Sequence, residues 1–245
     1  MKYFGITDRG KVRKDNQDCF LIEPQQDGER LVIALCDGMG GSRAGGIASD
    51  VASKSFVAFV GERLSDSSEM QPPYGAVLRG ACSEANGVVY QYSCYDANYS
   101  GMGTTLVGGI IADGKADVAN VGDSRCYHIT EMDITQITRD HSLVEEMVRR
   151  GEITREAARN HPRKNIITNA LGLEKGITAD VYEVKLLEGE YLLFCSDGLS
   201  NVILDEEMLA LAQNGKSPEE LCRALIDLAL SRLSPDNVTA VVVQA

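Results

Sequence analysis

Four times in a chain of 245 residues, an apolar run meets an aspartate at its end. Leu31-Val32-Ile33-Ala34-Leu35-Cys36 runs into Asp37-Gly38-Met39-Gly40-Gly41, and Ala119-Asn120-Val121-Gly122 into Asp123-Ser124-Arg125. Tyr191-Leu192-Leu193-Phe194-Cys195-Ser196 runs into Asp197-Gly198, and Asp236-Asn237 opens directly into Val238-Thr239-Ala240-Val241-Val242-Val243. A carboxylate at the mouth of a core strand is costly to desolvate unless it is hydrogen-bonded, paired or bound to a cation. Several of them converging on one sheet end would repel one another, and a divalent cation removes that repulsion. Oxygen-only donors of this kind suit Mg²⁺ or Mn²⁺. Two such ions side by side activate a water and stabilise the oxygens of a phosphoryl group in displacement. The competing reading is that Asp-Gly is a common turn pair, so that each of these sites is a hairpin turn. At any single site that simpler reading has the advantage; four together, with no His or Cys cluster as a rival, favour a cation site.

The elements that must position these aspartates are mostly short and β-branched. Strands are expected at Leu31 to Leu35, Thr105 to Ile111, Ala116 to Val121, Tyr191 to Phe194 and Val238 to Val243. Weaker strand patterns cover Tyr3 to Thr7, Cys19 to Ile22, Arg125 to Thr130 and Val181 to Leu186. Two long helical patterns, Ala44 to Leu64 and Tyr74 to Tyr95, lie between the early and middle strands, with a polar loop from Ser65 to Pro73 joining them. Ser217-Pro218-Glu219-Glu220 carries a capping serine, a first-turn proline and a glutamate three residues past the cap, and so starts a third helix. Strands outnumber helices and come in consecutive groups, which predicts an α+β layered domain with antiparallel sheets rather than a doubly wound parallel sheet. Residues 142–169 read as a small helical insertion, with one helix carrying Val144, Met147 and Val148 and another starting near Thr154.

Composition narrows the function. The formal net charge is −12, which argues against binding nucleic acid through its phosphates. No run approaches the length of a membrane span, and Met1 to Lys11 holds no signal-peptide apolar segment, so a soluble cytoplasmic protein is expected. The seven cysteines are scattered and form no C-x-x-C pair, a pattern that fits a reducing compartment better than disulfides or zinc. There is no Cys-x5-Arg loop of a cysteine phosphatase and no Gly-x4-Gly-Lys phosphate loop.

The order of motifs resembles a known family. Arg13-Lys14-Asp15-Asn16-Gln17-Asp18, Asp37-Gly38-Met39-Gly40-Gly41, Gly103-Thr104-Thr105 and Val121-Gly122-Asp123-Ser124-Arg125 come first. Thr138-Arg139-Asp140-His141-Ser142, Ala170-Leu171-Gly172, Ser196-Asp197-Gly198-Leu199 and Asp236-Asn237-Val238-Thr239 follow. Together they resemble the type 2C metal-dependent protein phosphatases, in their compact bacterial branch that opposes Hanks-type serine/threonine kinases. The resemblance runs from residue 13 to residue 239 and so covers nearly the whole chain. It implies one catalytic domain over residues 1–245: an α-β-β-α sandwich of two antiparallel sheets, with Mn²⁺ or Mg²⁺ in a cleft at one end. By position, Asp37 bridges two metals, the Gly38 carbonyl binds one, and Asp197 and Asp236 complete the other. Asp18 acts through water in the outer shell, and Asp123 with Asp197 matches a weaker third-metal site. Arg13 matches the arginine that holds the substrate phosphate, and residues 142–169 correspond to a flap beside the cleft. The implied partners are phosphorylated proteins, among them a Hanks-type kinase and its substrates, met by a monomer. The sequence departs from the family pattern twice. Met39 stands where many eukaryotic members carry a histidine proposed as general acid, and Gly46 follows Gly45 where relatives have a glutamate.

Other polar residues carry simpler expectations. His141 is read as structural, with Asp140 or Ser142 capping the next helix. Asn16 and Asn237 orient backbone and aspartates, and Thr104 and Thr105 pack beneath the cleft. Arg149, Arg150, Arg155, Arg159, Arg163 and Lys164 make the flap basic, either as a solvated helix face or as an electrostatic trap for acidic or phosphorylated segments. Two rival functions remain at this stage: a catalytically silent phosphoprotein-binding module on the same fold, and a dedicated phosphatase in an anti-sigma switch.

Overall fold

The structure is a computed structural model that describes all residues except 26–27, 66–71 and 214, and the side chains of residues 41–43. The expected loop from Ser65 to Pro73 thus lies largely outside the described residues.

Alternation with period two builds two sheets. The first contains β1 (Lys2–Asp8), β7 (Arg125–Ile129), β8 (Ile134–Gln136), β10 (Tyr191–Cys195) and β11 (Val238–Gln244), in the order β1-β11-β10-β7-β8. The second contains β2 (Asp18–Pro24), β3 (Leu31–Met39), β5 (Leu106–Ala112), β6 (Lys115–Val121) and β9 (Asp180–Lys185), in the order β2-β3-β5-β6-β9. A two-residue strand, β4 (Gly103–Thr104), pairs with the end of β3. Every pairing is antiparallel.

The core lies in three layers. Leu31, Ile33 and Leu35 of β3 face Leu192, Phe194 and Val241 of the other sheet. The alternate residues Val32, Ala34 and Cys36 face the long helices α1 (Gly41–Ser65) and α2 (Tyr74–Tyr95), with Ala48, Ala52, Phe56 and Leu78 among their partners. On the far side, Leu193, Cys195, Ala240 and Val242 pack beneath α6 (Asp205–Ala212) and α7 (Pro218–Ser231). The result is the expected α+β fold, a four-layer α-β-β-α sandwich. Ser217 caps α7 as its sequence signals, accepting from the Glu220 N–H at 3.3 Å while Glu220 accepts from the Ser217 N–H at 2.9 Å.

Residues 142–169 project from this body as α3 (Leu143–Arg149) and α4 (Arg155–Arg159). Ser142 caps α3 through the Glu145 N–H and Thr154 caps α4 through the Ala157 N–H. The segment leaves and rejoins at a bridge between Ser142 and Ile167.

Candidate active site

The alternation that builds the inter-sheet core also aims the acidic residues. Asp37 shares parity with Leu35 and Ile33, and Asp18 with Phe20 and Ile22, so both point between the sheets. They sit directly opposite one another in the β2–β3 register. From the facing sheet, Ser196 just after β10 and Thr239 on β11 turn their hydroxyls the same way. Ser196 Oγ donates to Asp18 Oδ2 at 2.8 Å and Thr239 Oγ1 donates to the same oxygen at 2.6 Å. Asp18 therefore bridges the two sheets where the apolar core gives out.

A cleft of about 440 Å³ opens at the same end of the sheets, and Asp18 is not among the residues that line it. Asp37, Gly38, Asp123, Asp197, Asp236 and Arg13 line it together with Met39, while Asn165 and Ile167 reach it from the flap. The sequence-predicted residues thus come from β3, the β6–β7 connection, the start of α5 (Asp197–Ser200) and the approach to β11.

The Asp-Gly pairs are not hairpin turns. Asp37-Gly38 continues β3, and Asp197-Gly198 opens a helical turn. Glycine is needed there for close backbone approach. A Cβ on Gly38 would lie 2.0 Å from the Gly45 carbonyl oxygen of α1, and one on Gly198 would lie 1.9 Å from the Asn237 carbonyl oxygen. The second contact draws the Asp197 and Asp236 segments together.

The backbone of Asp37 is held by threonines where the sheet ladder breaks between β4 and β5. The Asp37 N–H donates to Thr105 Oγ1 at 3.0 Å, and its carbonyl accepts from the Thr105 N–H and the Thr104 hydroxyl, each at 2.9 Å. Asn237 fixes the opposite wall, accepting from the Gln17 N–H and donating to the carbonyls of Arg9 and Asp15. Asn201 Nδ2 donates to Asp197 Oδ2 at 2.9 Å. Arg13 bonds Asp236 Oδ2 at 2.6 Å, with its guanidinium half exposed at the rim.

Burial and mutual repulsion dominate the electrostatics. Burial is the largest cause raising the Asp18 carboxyl to about 7, opposed by the Thr239 and Ser196 hydrogen bonds and reinforced by Asp197 and Asp236. Asp197 rises to about 6 through burial and Asp236, while a hydrogen bond from Asp37 and the nearby arginines hold it down. Asp37 is pushed well above the carboxylate range by burial and then by four neighbouring aspartates. Asp123 rises likewise through burial, Asp197 and Asp140, against the pull of Arg125.

The residues fit divalent cations by the chemistry of their donors. Among the described residues no three His, Cys, Asp or Glu side chains stand in an arrangement that holds an ion directly. Arg13 engages Asp236 Oδ2 and Asp37 shares a hydrogen bond with Asp197. Yet Asp18 Oδ1 and Asp197 Oδ1 are buried without a hydrogen-bond partner, a costly condition in a native core. Five aspartates converge with one arginine in contact, so positive charge is what this site lacks.

The sequence pattern singled out no role for Ser196, Thr239 or Asn201, and gave Thr105 only a packing role beneath the cleft. Ser196 was findable by carrying the strand parity one residue past the apolar run; Thr239, inside its run, was not. The flap's basic residues divide: Arg155 pairs with Glu145, and Arg159 with Asp205 and the carbonyls of Ser200 and Ile203, tying the flap to α5 and α6. Ser142 caps α3, as one of the two candidates expected, while Asp140 takes a bidentate bond from Arg125.

A two-sheet sandwich whose facing surfaces end in such a cleft defines the class of metal-dependent protein phosphatases. Residues 9–239 match the family described as Protein phosphatase 2C, and the chain belongs to it. It is 38% identical over 240 residues to the serine/threonine phosphatase Stp of Listeria welshimeri, covering 97% of this chain and 93% of that one. The crystal structure of the serine/threonine phosphatase Stp1 from Staphylococcus aureus superimposes with a TM-score of 0.92 at 35% identity, over 100% of this chain and 95% of the other. The catalytic domain of the serine/threonine protein phosphatase PstP, in complex with two manganese ions, gives a TM-score of 0.84 at 32% identity, over 98% and 96%. The protein is accordingly a serine/threonine protein phosphatase.

Proposed function

We propose that the protein hydrolyses phosphoserine and phosphothreonine on other proteins with a binuclear Mn²⁺ or Mg²⁺ centre, reversing a Hanks-type kinase. The observation that carries this reading is the convergence of aspartates from both sheets, with two buried unpartnered carboxylate oxygens, beside an arginine at the cleft rim. Asp37, the Gly38 carbonyl, Asp197 and Asp236 hold the two ions. Asp18 acts behind them through water, and Asp123 with Asp197 offers the third position. Bound ions supply a water activated for attack on phosphorus and neutralise charge on the phosphoryl oxygens.

The chain's own residues do the positioning. Thr104 and Thr105 fix the Asp37 backbone, and the Gly38 approach to Gly45 sets the carbonyl direction. Ser196 and Thr239 hold Asp18 Oδ2, leaving Oδ1 buried without a partner. Arg13 is already aligned by Asp236 and presents remaining N–H groups to an incoming phosphate, a task suited to a planar, always charged fork. Met39 at the cleft carries no transferable proton, so the leaving-group alkoxide takes its proton from water.

The reading extends to one catalytic domain over residues 1–245 with a flap at 142–169, acting as a monomer in the cytoplasm. All seven cysteines are free, which supports a reducing compartment. No helix among the described residues is long and apolar enough to cross a membrane. The test is phosphate release from phosphothreonine and phosphotyrosine peptides with Mn²⁺, Mg²⁺ or EDTA. Metal-dependent release favouring phosphothreonine is expected; no release with either metal from folded protein would favour the silent binding module instead.

A further inference from the structure

Asp123 follows Gly122, whose backbone at φ +109° lies in the left-handed region. A Cβ there would meet Thr105 Cγ2 at 2.6 Å, so the turn rests directly on the residue that grips Asp37. Glycine adopts this conformation freely and has no side chain to pin it, so what fixes the turn comes from its neighbours. His141, at the root of the flap, holds it from both sides. The His141 N–H donates to the Gly122 carbonyl at 2.8 Å, and the Gly122 N–H donates to His141 Nδ1 at 3.2 Å. Asn120 Nδ2 adds a donor to the same carbonyl at 3.2 Å.

The imidazole is itself oriented. Nδ1 also receives Asn169 Nδ2 at 3.2 Å, so it is an acceptor, and the ring proton sits on Nε2 facing Asp180 Oδ2 at 3.3 Å. Asp180 stands opposite Asn120 in the β6–β9 register and is further fixed by the Tyr182 hydroxyl at 3.1 Å. The far end of the flap closes on the same residue, because the Thr168 N–H donates to the His141 carbonyl at 2.8 Å. His141 therefore touches the turn before Asp123 and the far end of the flap through its backbone, and the same turn, Asp180 of β9 and Asn169 through its ring.

We propose that His141 is a positioning residue that fixes the Gly122–Asp123 turn and couples the flap's root to it. The proposal rests on the reading of Asp123 as part of the phosphatase machinery. It departs from the purely structural reading in one respect: His141 acts on turnover through Asp123.

The test compares His141→Ala, His141→Asn, Asp123→Asn and the His141→Ala/Asp123→Asn double variant, by steady-state kinetics on a phosphothreonine peptide with Mn²⁺. His141→Ala is expected to lower kcat by about tenfold or more, as loss of an outer positioning partner does elsewhere, with little change in KM. His141→Asn, whose Oδ1 keeps an acceptor for the Gly122 N–H, recovers most of that loss. In the double variant the two effects are not additive. Trypsin, acting at the flap's arginines, cuts His141→Ala faster than the parent, a readout independent of activity. Should His141→Ala not fold, Asp180→Ala releases only the outer edge of the ring and is expected to show the same non-additivity with a smaller kcat loss. A parental kcat in a folded His141→Ala (or in Asp180→Ala, if that variant has to stand in), or full additivity with Asp123→Asn, overturns the proposal while leaving the phosphatase reading intact. A parental kcat in Asp123→Asn would remove the role of Asp123 and the proposal with it.

Discussion

Stripping divalent cations should leave a protein whose stability falls as pH rises from 5 to 8. Asp18 titrates near 7 and Asp197 near 6 in the folded state, against 3.8 for a free aspartate, with burial the main cause in both. A carboxyl raised in this way binds its proton more tightly when folded, so its stabilising contribution is complete below the unfolded pKa. That contribution is lost as pH rises through the folded pKa. Each pH unit in the window costs about 1.4 kcal/mol per proton held only by the folded state. Asp18 gives about two units of loss between pH 5 and 7 and Asp197 about one between pH 5 and 6, a sum of roughly 4 kcal/mol. Asp37 and Asp123 shift the same way and add to it. At roughly 2–4 °C per kcal/mol for a chain of this size, Tm in EDTA should drop on the order of 10 °C from pH 5 to pH 8. The depressed carboxyl of Glu207, lowered to about 2 chiefly by its Arg232 hydrogen bond, works oppositely but only below about pH 4.5, outside the window. Calorimetric melts in EDTA and in saturating Mn²⁺, across that range, read the effect. Mn²⁺ should raise Tm most at pH 8 and flatten the slope. A Tm in EDTA that stays level or climbs from pH 5 to 8 would refute the argument that the cluster is strained by its own charge.

Substitutions at four sites probe the parts separately. Asp37→Asn should cost at least the roughly hundredfold in turnover that losing an outer-shell partner can cost, while its melt in EDTA equals or exceeds the parent's because a buried carboxyl crowded by four other aspartates is gone. Arg13→Ala should raise KM for phosphopeptide about tenfold, equal to about 1.4 kcal/mol, and change Tm little, since an exposed ion pair contributes about 0–1 kcal/mol; Arg13→Lys should restore it only in part. Gly198→Ala, which places a Cβ 1.9 Å from the Asn237 carbonyl, should lower stability by about 1–3 kcal/mol or more and depress activity through Asp197 and Asp236. The helical Gly87→Ala, with nothing within 4 Å of the added carbon, should instead be neutral or stabilise by roughly 1 kcal/mol in the same melts.

The strands were legible as short apolar, β-branched runs, and runs buried on both faces, such as β3, fit the sandwich that the resemblance implied. Helix α6 was not expected: its eight residues bury only Met208 and Ala212, and Leu204 before it offers no capping oxygen. The three-residue β8 is likewise too short for a period to show. At the site, the acidic positions stood out because an aspartate ending an apolar run breaks the local pattern. The hydroxyls that serve them did not, because a threonine inside Val238–Val243 is itself a good strand residue. Only the register tells that Thr239 faces Asp18 across the sheets rather than packing beneath α7.

That division has a physical origin. An acidic residue in a core strand announces a cost, and a cost implies a partner somewhere; it does not say where. The partners here come from 178 and 221 residues away for Asp18, and 223 for the Asp236–Arg13 bond. Composition and local period carry no information over such separations. The glycines illustrate the same point from the opposite direction: Gly38 and Gly198 read locally as turn formers, yet each is required by the close approach of another backbone segment, α1 at Gly45 for the first and the distant Asn237 for the second. Gly198 in particular must admit the Asn237 carbonyl, so a residue that follows the end of one strand is what allows Asp197 and Asp236, 39 positions apart, to share a cleft.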